Sequence, residues 1–438
     1  MRLFFILVLT FSYAACWSQV ERRTYYDPEQ EFLKEVYFVD KNDTSRIVGT
    51  YTRYYPNQTK AAEGVYVDGL RDGMFSEYYE DGKLQRTIVF SKGMRNGPVM
   101  IYDERGNIVQ RASFAENKLS DSLYLYYPNG NIRSRGRFVN DKPEGTILEY
   151  YPDGVLKAEI NYAEGKQNGL FKMYYASGTL QSEGSYLNGI LTGNYKNYYQ
   201  NGQLDNESEM LAGERSGVFR DFDEEGNLLL EGHYLNGSLQ GENKAYYSDG
   251  TLKHLFNYNQ GIKTGLNTSY YPNGQKETVE NVDGERHEIE RYNSAGKIKL
   301  REVRVNDELD GVQEEFNDAG IKVRETHFMK GQRHGIYREF YAESGNVKKE
   351  ITYGYGAITG EVKTYHSNGQ LASKTPYSAT KMHGDYKAWH ENGVVATEGE
   401  YGGGKKVGTW KFFNQEGELE RTETYLRGQL VETSTGPF

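Results

Sequence analysis

The sequence predicts an all-β protein: an elongated, single-sheet antiparallel meander of about sixteen 24-residue hairpins. Three observations carry this reading. Glycine recurs in a fixed column, an aromatic follows it at a fixed offset, and the run after that alternates with period two. The column is Gly49, Gly73, Gly97, Asp121, Gly145, Gly169, Gly193, Gly217, Gly241, Gly265, Glu288, Gly311, Gly335, Gly360, Gly384 and Gly408. Fourteen of these sixteen positions are Gly, and the step is 24 residues apart from two of 23 around Glu288 and one of 25 before Gly360. A period of that length is the signature of a repeat architecture.

Each copy holds two runs and two breaks. In the first run an aromatic stands five residues after the glycine, as at Tyr54, Tyr78, Tyr102, Tyr126 and Tyr150, and the copy around Asn293 lacks it. The break after it is marked by a second glycine column, Gly82, Gly106, Gly130, Gly154 and onward. There "YYPNG" at Tyr126 to Gly130 reads as a turn: Pro sets φ, Asn tolerates the next position, and Gly takes the left-handed one. In the second run Leu84 and Phe90, or Leu156 and Tyr162, stand six apart, which puts both on one strand face. Glu159, Glu183, Glu207 and Glu231 fall between them on outward positions. Nothing in either run has helical periodicity, so the pair is a β-hairpin.

The domain plan follows from the frame: a signal segment over 1–18, a leading strand or cap over 19–45, a first arm of repeats over 46–284, a degenerate copy and candidate bend over 285–307, a second arm over 308–428, and a tail over 429–438. Residues Met1 to Cys16 carry one early Arg, an apolar run from Leu3 to Phe11, and then small residues. This is the pattern of an export signal. Two processing outcomes stand, cleavage after Ser18 or lipidation of Cys16, which is the single cysteine. Either predicts an exported chain: periplasmic, an outer-membrane lipoprotein, or secreted. No later segment is apolar enough to span a bilayer as a helix.

Composition narrows the function classes. The 438 residues include 39 Tyr and 19 Phe but are only 37% hydrophobic, so the apolar surface is mostly aromatic. The net charge is -10 and is spread along the chain. A phosphate backbone needs clustered Lys and Arg, so nucleic acid is not the expected partner.

A glycine-punctuated hairpin of this length, with paired aromatics as in "GLFKMYYASGTLQSEGSYLNG" from Gly169, resembles the MORN repeat family in its bacterial variant. The resemblance covers about residues 46 to 428. It implies a repeat scaffold, and bacterial members of the family often bear the label of an antitoxin component. Aromatic hairpins of wall-binding modules are also similar, but they are Trp-rich and this chain has 3 Trp. "YDERGN" at Tyr102 and "FDEEGN" at Phe222 resemble the YD repeats of large secreted toxins, yet they sit in phase with the 24-residue frame.

No phosphate cradle, nucleophile elbow or zincin motif is present. The sequence therefore predicts no enzyme, no catalytic residue, no metal and no cofactor. His366 and His390 share a column of adjacent repeats, at a strand spacing too wide for joint ligation of one metal. If the first aromatic of "YY" is core, the second should point away from it. That makes Tyr79, Tyr127, Tyr151, Tyr175, Tyr199, Tyr247 and Tyr271 the candidate binding surface, with cross-repeat stacking as the purely structural alternative. The expected function is an exported, non-enzymatic scaffold that binds a protein or cell-envelope partner. A wall-glycan module and an antitoxin or immunity protein are the alternatives.

Overall fold

The computed structural model describes residues 19–435, which divide into two compact units, one ending at Glu214 and the other starting at Arg215. The first unit runs from the strand Gln19–Tyr25 to Leu204–Leu211, and the second from Glu214–Phe222 to Gln429–Thr435. Within each unit successive strands pair antiparallel in chain order, so each is an open meander. No described residue is helical. The expected all-β hairpin fold is therefore the observed one. Segment 285–307 lies inside the second unit.

The two glycine columns do different work. Gly130 has φ 87° and its N–H donates to Tyr127 O at 2.9 Å, closing the turn drawn by "PNG". The leading glycines sit where the ladder to the preceding strand slips register: between Arg135 and Arg137, for example, beside Gly145 with φ 75°. This is a β-bulge whose extra residue needs a left-handed backbone, which glycine adopts without a Cβ penalty. Asp121, one of the two non-glycines in that column, keeps φ 72°.

A second register slip corrects the expected facing of the side chains. Tyr78 pairs with Leu84 while Glu77 pairs with Arg86, so one residue of the second run is bulged out. Paired residues share a face, and Phe75 and Tyr78, three apart in an unbroken strand, do not. Leu84 and Phe90 thus lie on opposite faces, although they are six apart. The buried face carries the residue two after each leading glycine, including Phe75, Val99, Phe171, Phe219, Tyr337, Val362 and Trp410. The first aromatic of "YY" is half-buried on the other face and is not the core residue.

That buried column obeys a size rule. Phe171 pairs with Gly184, Phe219 with Gly232, Tyr386 with Gly399 and Val99 with Ala112, so large faces small across these hairpins, while Phe75 and Tyr337 face Ile88 and Ile351. The small residue also admits the large side chain of the following strand. A Cβ on Gly399 would stand 2.3 Å from the Trp410 ring, one on Gly64 2.5 Å from Phe75, and one on Gly136 2.0 Å from Ile147. The result is a run of edge-on rings, such as Tyr66–Phe75–Phe90 at 5.5 and 5.3 Å in the first unit and Tyr401–Trp410 at 5.0 Å in the second. Such pairs add to the burial of the rings themselves.

From Asn243 to Thr326 the buried face takes in polar residues: Asn243 and Asn267 stand two after their leading glycines, Glu302 and Thr326 stand across the hairpin from Ile289 and Gln313, and all four are buried. Glu302 accepts from Arg304 at 3.0 Å and from Gln313 at 3.0 Å, so the carboxylate is held on both oxygens. The degenerate copy is also resolved here. Its aromatic is Tyr292, which pairs with Ile298 as Tyr78 pairs with Leu84, so no copy around Asn293 lacks it. The preceding strand pair, Thr278–Asp283 with Arg286–Arg291, runs without a slip. With no bulge, the copy is shorter and has no need of a left-handed glycine.

Gly399→Ala tests the size rule, because Gly399 has an ordinary φ and the only penalty is the clash with Trp410. Its expected cost is about 2 kcal/mol from overpacking. Urea unfolding should show a lower midpoint with an unchanged slope.

Candidate binding surfaces

The second aromatic of "YY" stands one residue past the end of its strand, at the turn edge. There its hydroxyl reaches forward by one repeat and donates to the backbone carbonyl of the next copy's first aromatic. In the first unit Tyr55 reaches Tyr78 O at 2.7 Å, and Tyr79, Tyr127, Tyr151 and Tyr175 reach Tyr102, Tyr150, Tyr174 and Tyr198 O at 2.8 Å. In the second, Tyr247 reaches Tyr270 O at 2.8 Å, Tyr271 reaches Tyr292 O at 2.9 Å, and Tyr341 reaches Tyr365 O at 2.9 Å. Tyr199 occupies the same position of the frame. The turn asparagine does likewise: Asn129 Nδ2 donates to Pro152 O at 2.7 Å while its Oδ1 accepts from Asn131 N at 3.0 Å.

His366 and His390 belong to this column. Their Nε2 atoms lie 2.8 Å from Trp389 O and 2.9 Å from Phe413 O, so each imidazole takes the place of a tyrosine hydroxyl. Where the column holds Asp or Asn, the side chain caps its own turn instead. Asp103 Oδ1 accepts from Arg105 N at 2.9 Å and Asn107 N at 2.8 Å, and Asn317 Oδ1 accepts from Ala319 and Ile321 N. Asn107 also donates to Asp103 through its side chain, and these bonds hold the Asp103 carboxyl below the usual range. The same arrangement at Asp223 and Asn227 accounts for "YDERGN" and "FDEEGN" as self-capped turns.

The outer face carries a second register of contacts. The first aromatics point there and bond glutamates of the preceding copy: Tyr78 to Glu63, Tyr198 to Glu183 at 2.8 Å, and Tyr246 to Glu231 at 2.7 Å. Beside them, in several copies, a cation three residues after the leading glycine faces a glutamate across the hairpin. Lys172 lies 3.9 Å from Glu183 and Lys196 3.5 Å from Glu207 in the first unit. Arg338 lies 3.0 Å from Glu350 and Lys387 3.5 Å from Glu398 in the second, and the degenerate copy reverses the pair, with Arg301 on its second strand 3.0 Å from Glu290. Half-exposed pairs of this kind add little stability. They do fix where each charge stands on a repeating face.

The glutamates of this ladder were legible as outward positions, but their cationic partners were not, because pairing across the hairpin is needed to see them. The glycines opposite the buried aromatics were likewise missed, although they stand fifteen residues after the leading column. Cys16 lies outside the described residues. Among the described residues no group of three or more His, Cys, Asp and Glu is placed to hold a metal, and no helix is long and apolar enough to cross a membrane.

The MORN repeat variant family matches residues 71–92, 123–140, 143–164, 167–188, 191–210, 215–236, 358–379 and 382–401. Over these segments, which make up under half of the chain, the hairpins are similar to MORN repeats. Each matched segment begins in one strand, crosses the turn of the "PNG" type and ends in the next strand, so the family's unit corresponds to the hairpin around that turn. No curated protein matches the sequence. Among solved structures, the chain aligns to a crystal structure of TcdB2-TccC3-Cdc42 at 11% identity and TM-score 0.12, over 95% of its own length and 31% of the other. It aligns to the Photorhabdus luminescens Tc holotoxin pore at 11% identity and TM-score 0.15, over 95% of its length and 29% of the other. The chain thus spans under a third of those proteins, and at such scores the likeness carries no argument about function.

Two outcomes test the ladders. Changing Tyr127, Tyr151 and Tyr175 together to Phe keeps the rings and removes three hydroxyls, at about 1 kcal/mol each. Loss of protection of the turn-edge amides in hydrogen exchange should accompany the lower stability. On the outer face the phenols of Tyr198 and Tyr246 are pushed up to about 12, first by burial and then by the bonded glutamate. A folded value above the unfolded one near 10 means that the neutral form is favoured in the fold. Stability should hold below about pH 10 and fall as pH rises towards about 12. In Tyr198→Phe with Tyr246→Phe, alkaline unfolding monitored by circular dichroism should fall off less steeply over that interval.

Proposed function

We propose that this chain is an exported, non-enzymatic repeat scaffold that binds a protein or cell-envelope partner through its outer β face. One observation carries the reading. The polar atoms specified by the repeat are spent inside the sheet, on forward-reaching Tyr, His and Asn side chains, so the turn edge is stiff and the outer face is presented as a fixed row. That row combines half-buried aromatics with charges of both signs in register. Rigid amphipathic rings beside placed charges suit a protein partner. Repeat arrays of this type bind through such extended surfaces.

The tyrosines first singled out, Tyr79, Tyr127, Tyr151, Tyr175, Tyr199, Tyr247 and Tyr271, then support the contact surface from its edge, and Tyr78, Tyr126, Tyr150 and Tyr174 form part of it. Export rests on the pattern of Met1 to Cys16, with lipidation at Cys16 as one route.

The test is affinity capture from the native envelope with the purified chain, read by mass spectrometry. A partner retained by the wild type should be lost at least tenfold by Lys172→Glu with Lys196→Glu, variants that leave the core and the turn ladder untouched. Retention on peptidoglycan instead, lost when Tyr127, Tyr151 and Tyr175 become Ala, would favour a wall module. A chain that retains nothing sinks the scaffold reading.

A further inference from the structure

The second unit contains a cavity of about 270 Å³ on its buried face, between the strands Glu214–Phe222 and Leu252–Asn259. It opens where the size rule is broken. The position that holds Phe219 in one copy holds Asn243 in the next, and the large residue moves across the hairpin to Phe256. Phe219, Tyr234, Phe256 and the ring of His254 form the walls. The Phe219 and Tyr234 centroids are 4.9 Å apart, and His254 stacks on Phe256 at 4.8 Å.

Two buried polar atoms among the lining residues have no partner. Asn243 is 6% exposed, its Nδ2 donates to Gly241 O at 3.1 Å, and its Oδ1 accepts from nothing. His254 Nδ1 is also unpartnered. The following copy supplies the comparison. Asn267, in the same position of the frame, is fully bonded: Oδ1 accepts from Asn257 N at 2.8 Å and Nδ2 donates to Thr264 and Gly265 O. The asparagine itself is therefore not what leaves an acceptor bare. Only the one beside the cavity is unsatisfied, and a buried acceptor left so is costly. Departures from a local rule that cost stability are expected at functional sites.

We propose that this cavity binds a small neutral hydroxylated ring, of monosaccharide size. Its apolar face would meet the aromatic walls, and its hydroxyls would satisfy Asn243 Oδ1 and His254 Nδ1 once these side chains turn towards the cavity, Asn243 leaving the hollow at Gly232, where a Cβ would stand 1.8 Å from its Oδ1. The chemistry selects this class. A bare amide oxygen requires a donor. Burial lowers the pKa of His254, so the ring is neutral and its Nδ1 is a donor or an acceptor according to tautomer. A hydroxyl meets either case. Rings that carry both hydroxyls and an apolar face are the simplest molecules that satisfy all of these walls, and the volume admits one ring rather than a chain. This site is independent of the outer-face partner, so either proposal can fail alone.

The full chain is titrated with glucose, galactose, mannose and N-acetylglucosamine, followed by saturation-transfer NMR and calorimetry. At least one should saturate, with affinity reduced tenfold or more in Asn243→Leu, whose melting temperature should equal or exceed that of the wild type because it removes the bare acceptor. His254→Phe keeps the wall and removes the nitrogen, and it should weaken the same sugar if Asn243→Leu fails to fold. Absence of saturable binding in the wild type overturns the proposal. So do variants that bind as the wild type does, and a sugar-soaked crystal in which ordered water alone reaches the two atoms.

Discussion

The structure depends on a bond that spans one period. A hairpin with a well-made turn is satisfied within itself, and nothing in the turn obliges it to meet the next hairpin in a given register. The forward-reaching tyrosine supplies that obligation. Its hydroxyl finds a carbonyl 23 residues further on only if the intervening strand, tight turn and bulge have their set lengths. One interaction of about 1 kcal/mol, repeated along the edge, thereby fixes the length of everything between. The shortened copy obeys the same constraint: it drops a bulge, and Tyr271 still reaches the carbonyl of Tyr292.

Much of this was legible in the sequence, for identifiable reasons. The period, the "PNG" turn and the hairpin are local, and local chemistry determines them: Gly130 is left-handed because Pro128 and Asn129 precede it in a turn of that type. The facing of the side chains was not legible. Strict alternation puts Leu84 and Phe90 together, and a single bulged residue reverses one of them. A bulge leaves little trace in a sequence beyond a glycine whose purpose is ambiguous. The candidate site suffered from the same inversion. The tyrosine column was found correctly as a column, but its hydroxyls point along the array to backbone, and the outer face belongs to the other tyrosine.

The two faces divide labour by chemistry. The buried face is held by shape, with glycine opposite or beside several of the large rings, and tolerates little change in volume. The outer face is held by long, half-exposed side chains whose pairings contribute little to stability, and it tolerates substitution. A surface free to vary on a backbone that is not free to move is the physical basis for the proposal that recognition falls to that face. The polar stretch from Asn243 to Thr326 is the exception on the buried side. There carboxylate and amide networks replace rings, and one amide oxygen remains unpaired.

The complementarity of glycine and aromatic has a consequence for how such a chain can lengthen. Gly64 makes room for Phe75 and Gly399 for Trp410, and in each case the two lie on either side of the tight turn rather than the "PNG" turn. The same fit recurs across the turn of the "PNG" type, where a Cβ on Gly184 would stand 2.8 Å from Phe171, so ring and hollow follow one another without a seam. A duplication or crossover that keeps whole periods therefore stacks at once wherever its breakpoints fall, whereas one that joins copies out of phase separates a ring from its hollow and must wait for a compensating substitution.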